Sequence, residues 1–262
     1  MKIKEILRKI GPLRRLVVCI RVRWAESMLK KKGYIHKLKG KKAIFFLPYI
    51  KTDELQYAIY YNKSYYENDY LDFLCDKWHG GIIGNIIRGG TILDIGSNIG
   101  NHTLYFLLER GASFSHCFEP AKDTFAILEK NIEINKLQKY TKLYNVGVGK
   151  SRGNAFISKS KEKNTAYTEI TLKEDGDIQV VSIDELDIKD KISFVKIDVE
   201  GFENDVLKGM IKTIERDSPF IMIEIWNRNY SEVKSLFNSI GYKVDLMFAD
   251  KLIGDYLCYK DL

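Results

Sequence analysis

The residues Thr91-Ile-Leu-Asp-Ile-Gly-Ser-Asn-Ile-Gly-Asn-His-Thr103 read as a buried strand, a glycine turn and the first turn of a helix. Gly96 and Gly100 allow backbone to approach a ligand closely. Glu119 follows 19 residues after Gly100, at the end of the next apolar run, where a carboxylate can accept hydrogen bonds from both hydroxyls of a ribose. The turn is neither Gly-x-Gly-x-x-Gly nor a lysine-containing phosphate loop, which argues against a pyrophosphate-bearing ligand. Asp94 sits inside an apolar strand, where an unpaired charge is costly, so it is expected to bond loop amides or a ligand ammonium. Further along, Asp198 and Glu200 close the run Phe194-Val-Lys-Ile-Asp-Val-Glu200. Carboxylates at a strand end can take a proton or position a hydroxyl; capping of the following helix is their alternative role. His102 follows the glycine loop and can point into the same site or pack against the body. Glu224 interrupts the apolar run Ile221-Met-Ile-Glu-Ile-Trp226 and needs a partner, for which Lys196 is the nearest candidate if the two strands are neighbours.

These groups need a scaffold, and the apolar runs describe one. Runs at 92–96, 114–118, 143–148, 193–198 and 220–225 read as buried parallel strands. Helices are expected at 98–110, ending at Gly111, and at 121–137, 202–214 and 231–240, the last ending at Gly241. Residues 242–248 and 255–259 read as a hairpin closed by a loop containing Gly254. The expected fold is α/β, a mostly parallel sheet with one reversed strand at a C-terminal hairpin.

The 262 residues suit one α/β domain with an extension. Three parts are expected: a basic amphipathic helical arm at 1–42, an aromatic-rich subdomain at 43–88 and the main domain at 89–262. The arm carries 15 Lys/Arg against 2 acids, whereas the rest carries 27 against 33. An acidic body argues against a nucleic-acid groove, and the arm is suited to peripheral contact with an anionic membrane. The longest apolar run of the arm, Leu16 to Ile20, is too short for a signal peptide or a span. Cys19, Cys75, Cys117 and Cys258 are scattered, without zinc or disulfide spacing, and a cytoplasmic setting is expected.

The blocks Ile92 to Thr103, Phe118-Glu-Pro120, Val195-Lys-Ile-Asp-Val-Glu-Gly-Phe-Glu203 and Val206-Leu-Lys-Gly209 resemble the FkbM-type S-adenosylmethionine-dependent methyltransferases, over roughly residues 60–246. The resemblance implies a Rossmann-like class I methyltransferase fold with a seven-stranded sheet. It also implies O-methylation, often of sugar hydroxyls in polysaccharides, glycolipids or natural products. By the same resemblance Asp94, Gly96, Ser97, Asn98, Gly100, Glu119, Pro120, Asn145, Val146 and Asp198 would line the cofactor. Of these, Asp94, Gly96 and Asn98 would surround its methionine part, Glu119 its ribose, and Asn145 and Val146 its adenine.

Methyl transfer from a sulfonium requires alignment of acceptor oxygen, carbon and sulfur, and an alcohol must also lose a proton. Asp198, Glu200, His102 and Glu224 are the candidates for that chemistry. No third ligand for a metal accompanies Asp198-x-Glu200 in sequence, so none is expected. The aromatic residues Tyr49 to Tyr70 and Trp226 can either pack in the core or wall an acceptor. The rival readings are methylation of RNA or another small molecule, a nicotinamide-dependent dehydrogenase and a nonenzymatic nucleotide- or membrane-binding module. The Asn/Asp-Pro-Pro-aromatic turn of many base-methylating enzymes is absent, as is the three-glycine fingerprint of dehydrogenases.

Overall fold

The computed structural model describes residues 34–161 and 164–260. The helices expected within residues 1–28 lie outside the described residues. The chain enters through a short antiparallel hairpin, β1 (Ile35–Lys37) and β2 (Ile44–Phe46). This hairpin spans the boundary expected at 42/43. Three helices follow: α1 (Glu54–Asn62), α2 (Asn68–Asp76) and α3 (Ile82–Ile87). The main sheet begins with β3 (Thr91–Ile95), then α4 (Asn101–Leu104, continued by a π-helical turn over Tyr105–Glu109), β4 (Phe114–Phe118), α5 (Lys122–Ile134) and β5 (Thr141–Tyr144). Next come four strands of a second sheet: β6 (Gly147–Val148), β7 (Gly153–Lys161), β8 (Asn164–Leu172) and β9 (Ile178–Val181). The main fold resumes with β10 (Ile192–Ile197), α6 (Glu203–Lys208), α7 (Ile211–Asp217), β11 (Phe220–Trp226), α8 (Tyr230–Ser239), β12 (Lys243–Ala249) and β13 (Ile253–Tyr259).

The seven-stranded sheet runs β12-β13-β11-β10-β3-β4-β5. Its central pairs are parallel, and β13 runs antiparallel to both β11 and β12. The Rossmann-like α/β architecture with a C-terminal antiparallel hairpin is therefore as the apolar runs indicate. Successive residues of each central strand point to opposite faces. Ile92, Phe194 and Met222 accordingly join one core with Phe106, Leu128 and Ile132, while Leu93, Val195 and Ile221 join another with Val206, Ile214 and Phe237. Both faces are covered, which is why these strands read as continuous apolar runs.

Residues 43–88 share the first core, with Phe45, Ile59, Leu71, Leu74 and Ile83 packed against Ile92 and Phe106. They form a cap on the domain, not a separate hydrophobic unit. Asn131 of α5 and Asn135, which caps its C-terminus, anchor it. Asn131 Oδ1 accepts from the Phe46 amide, and Asn135 accepts from the Ile44 amide and donates back to its carbonyl. Of the tyrosines between 49 and 70, most pack into or against this core.

Three local expectations are corrected. The strand expected over 143–148 is split, β5 staying in the main sheet and β6 joining the second sheet beside β9. The helix expected over 202–214 is two, broken at Gly209-Met210. A Cβ at Gly209 would stand 2.0 Å from the Gly149 carbonyl oxygen, so backbone crosses backbone there. Gly254 lies inside β13, opposite Ile225, and not in the loop between the last two strands.

Candidate active site

The chain leaves β3 toward β4 and β5, and later returns to β10 on the other side of β3. The carboxyl ends of β3 and β10 are thus the switch point at which open α/β sheets hold ligands. The two ends are knitted together. The Asp198 amide donates to the Ile95 carbonyl, and the Gly96 and Ser97 amides both donate to the Phe118 carbonyl. Gly96 has φ +78°, and a Cβ there would lie 1.8 Å from the Asp198 carbonyl oxygen, so the position admits only glycine. Gly100 also has positive φ, but its open side faces Leu128 of α5, not the cavities.

Two cavities open here and share Asn98, Asp198 and Glu200. The first, about 70 Å³, is a cleft between Ile95, Gly96, Asn98, Phe118, Glu119, Pro120, Val146 and Phe202. Its walls are about equally polar and apolar, and among the described residues no lysine or arginine lines it. Glu119, only 5% exposed, accepts from the Asn98 amide at 3.0 Å and from the Ala121 amide at 2.9 Å. Burial outweighs these bonds and pushes its carboxyl up to about 7. Asn145 does not line the cleft. Its side-chain amide donates to the Glu119 and Pro120 carbonyls and holds that turn in place. Val146 does line it.

Asp94 is fully buried and reaches neither cavity. It does not bond the loop amides. Thr103 Oγ1 donates to its Oδ2, and the Lys196 ammonium stands 3.7 Å from Oδ1. Ser97 donates to the Asp94 carbonyl and lines the second cavity. Lys196 donates to the Gly96 carbonyl at 2.6 Å and lies 3.3 Å from Asp198. Lys196 and Glu224 share a face of the sheet and line the same cavity, and Glu224 adds to the negative surroundings of the ammonium, but no ion pair within 4.0 Å joins them among the described residues. Lys196 is level with Met222, one pleat short of Glu224, and its ammonium turns toward the glycine loop. Asp198 and Asp94 hold the Lys196 ammonium above its ordinary range despite burial.

The second cavity, about 330 Å³, is lined by carboxylates from several elements: Glu54, Glu67, Asp198, Glu200, Glu224, Asp250 and Asp255. Glu224 stands directly opposite Asp255 across the β11–β13 ladder. Burial, with Asp198 and Glu200 nearby, pushes Glu224 up to about 10; burial and Glu67 push Asp255 up to about 7. One oxygen each of Asp198, Glu200 and Glu224 lie within 4.8 Å of one another. Glu224 is the third acid that Asp198-x-Glu200 lacked in sequence, so the expectation of no metal-ligand set meets a set with cation-binding spacing. His102, 8% exposed, lines the same cavity with Nε2 3.7 Å from Glu67 and no hydrogen-bond partner for that nitrogen among the described residues. Of the tyrosines between 49 and 70, Tyr66 lines this cavity; Trp226 packs under the Arg228 guanidinium instead.

Three of the eight non-glycine residues with positive φ among the described residues line these cavities. Glu67, Asn98 and Glu200 all have φ between 50° and 58°, a region that costs a non-glycine residue energy. Each is held from outside. Asn101 Oδ1 accepts from the Tyr66 amide and its Nδ2 donates to the Tyr66 carbonyl, clasping the segment that carries Glu67. Glu203 accepts from the Gly201 amide and from Asn229, which also donates to the Gly201 carbonyl, bracing the turn after Asp198. Glu67, Asn101, Glu203, Asn229 and Asp255 were not anticipated from sequence. Asp255 carried the same signal as Glu224, an acid within an apolar strand; the others converge only in three dimensions.

The family model of the methyltransferase FkbM domain matches residues 94–244. "Methyltransferase 1" of Beauveria bassiana is 25% identical over 200 residues, covering 64% of this chain and 78% of that protein. "Hexuronic acid methyltransferase AglP" of Haloferax volcanii is 30% identical over 135 residues, covering 50% of this chain and 54% of that protein. Among solved structures, a methyltransferase FkbM from Methylobacillus flagellatus KT superposes with TM-score 0.48 at 20% identity, over 65% of this chain and 44% of that one. The chain thus spans about half the length of the last two.

Proposed function

The chain belongs to the FkbM methyltransferase family and is a methyltransferase, and we propose that it uses S-adenosylmethionine to methylate a hydroxyl of a carbohydrate, as part of a polysaccharide, glycolipid or related glycan. The observation that carries this reading is the meeting of the two cavities at Asn98, Asp198 and Glu200.

The chemistry of the cleft lining suits a nucleoside. Ile95, Phe118, Val146 and Phe202 offer apolar faces for a base, and the lone pairs of Glu119 not used by the Asn98 and Ala121 amides can accept from ribose hydroxyls. The absence of basic residues among the lining side chains leaves a pyrophosphate without a counter-charge. Gly96, Asn98 and Asp198 would hold the cofactor where the cleft meets the chamber, with Ser97 on the chamber side. When bound there, S-adenosylmethionine supplies a methyl group on a sulfonium. Asn145 keeps the Glu119-Pro120 turn in place, and Asp94 fixes Lys196 and Thr103 behind the glycine loop.

The chamber is the acceptor's place. Asp198 and Glu200 face both cavities, so a hydroxyl bonded to either carboxylate sits at the junction and can pass its proton there. Lys196 offsets the charge of Asp198 and sets its direction. Glu224 and His102 line the wall and position the acceptor.

A sugar acceptor is supported by the name of the Haloferax relative and by the density of hydrogen-bond acceptors in the chamber. The basic segment 1–42 would draw the enzyme to a membrane bearing such an acceptor; unchanged liposome association after deletion of residues 1–28 would contradict that part. Incubation with methyl-labelled S-adenosylmethionine and a panel of glycans, lipids, RNA and free nucleosides tests the whole. Label should enter the glycan fraction as a base-stable ether; label in RNA alone would refute the acceptor class.

A further inference from the structure

Resting on the proposed reading of the chamber as the acceptor site, we propose that the acceptor carries a protonated amine close to the hydroxyl that is methylated, as an amino sugar does. The chamber's seven carboxylates come from five separate stretches of chain: α1, the start of α2, the turn after β10, β11 and the β12–β13 hairpin. Among the described lining residues Lys196 alone carries a permanent positive charge, and it is held by Asp94, Asp198 and the Gly96 carbonyl. Its charge is largely consumed at the glycine loop. Glu224 and Asp255 face one another across the ladder, a placement that costs energy unless a cation or a proton lies between them.

An ammonium between the two would offset their charges and donate hydrogen bonds to several carboxylates at once, the strong charge-assisted kind. A uronic acid would instead bring a further negative charge to a wall on which, among the described lining residues, Lys196 is the one permanent cation and is already held. This chamber is therefore ill suited to an acceptor of the kind named for the Haloferax relative. Glu54, Glu67, Asp250 and Asp255 lie outside residues 94–244, so the part of the chain that matches the family supplies the junction while flanking segments supply much of the acceptor charge.

The test uses the full chain loaded with S-adenosylhomocysteine and calorimetric titration of three matched glycosides: one with a free amine, its N-acetyl derivative and the corresponding uronide. Saturating S-adenosylhomocysteine binding, verified first, shows that the cofactor reading holds independently of the acceptor result. Expected is binding of the amine at least ~10-fold tighter than the N-acetyl form and tighter still than the uronide. Glu67→Gln and Asp255→Asn should each narrow the preference. Equal or reversed preference would overturn the proposal, as would absence of amine binding below about 10 mM. It would also be overturned if binding were lost in EDTA and restored by Mg²⁺, since a divalent ion would then be the occupant of Asp198, Glu200 and Glu224.

Discussion

Glu224 of β11 and Asp255 of β13 are registered partners across an antiparallel ladder, two carboxylates side by side in a half-buried wall. Their folded-state carboxyls lie above ordinary values, at about 10 and about 7, and the buried Glu119 lies at about 7. For each group the folded protein binds protons more tightly than the unfolded chain, so the stabilisation is complete at low pH and is lost as pH rises through these values. Melting temperature should therefore fall between pH 5.5 and pH 8.5. Glu224→Gln keeps the shape and removes the ionisation. Facing Glu67, Asp198, Glu200, Asp255 and the Lys196 ammonium, it should raise stability at pH 8.5 by about 1 kcal/mol or more, some 2–4 °C, and flatten the pH dependence. Differential scanning calorimetry across pH checks this; an unchanged slope would contradict it.

Lys196 joins Asp94, Asp198 and the Gly96 carbonyl at the junction of the central strands. Replacing it by methionine keeps the volume but leaves Asp94 fully buried without its counter-charge. Breaking one side of a buried pair costs about 3–5 kcal/mol. Lys196→Met should melt far below wild type, whereas the double change Lys196→Met with Asp94→Asn should recover part of the loss. Denaturant titration of the three proteins measures the coupling.

Asn101 clasps the Tyr66 backbone from both sides and so fixes Glu67 at the chamber mouth. It lines the chamber and not the nucleoside cleft. Asn101→Ala removes two bonds of about 1 kcal/mol each. It should raise KM for the acceptor by roughly 10-fold while leaving S-adenosylhomocysteine affinity within about 2-fold. Loss of affinity for both ligands would show that the clasp supports the whole domain instead.

Gly96 tolerates no side chain, because a Cβ would meet the Asp198 carbonyl oxygen and φ is +78°. Gly96→Ala should cost at least about 2 kcal/mol and abolish cofactor binding, since the loop and the β10 end must separate. Gly153→Ala, at a glycine with open space around it and ordinary φ, is the matched control and should leave binding unchanged.

The glycine loop, Glu119 and the Asp198–Glu200 turn were legible in sequence because each closes a buried parallel strand, whose apolar run is long and sharply bounded. The charge of the chamber was not. It depends on the register that sets Glu224 against Asp255, fixed by how the last hairpin folds back, and on Asn101 holding a loop 35 residues away. The second sheet escaped notice for a different reason. The sequences of β7 and β8 mix polar and apolar residues without a sustained apolar run, and β6 is only two residues long. The single helix read over 202–214 failed at Gly209, whose closeness to the Gly149 backbone is a long-range fact that no local pattern reveals.

The central claim is that the cleft beside Glu119 holds the adenosine of the methyl donor. Calorimetric titration of S-adenosylhomocysteine into wild type and Glu119→Gln tests it most directly, with melting curves of both to confirm that the Asn98 and Ala121 amides remain in place. Wild type should bind with micromolar affinity, and a variant that is still folded at least ~10-fold more weakly, about 1.4 kcal/mol. Absence of binding to folded wild type, or equal affinity of the two proteins, would contradict it.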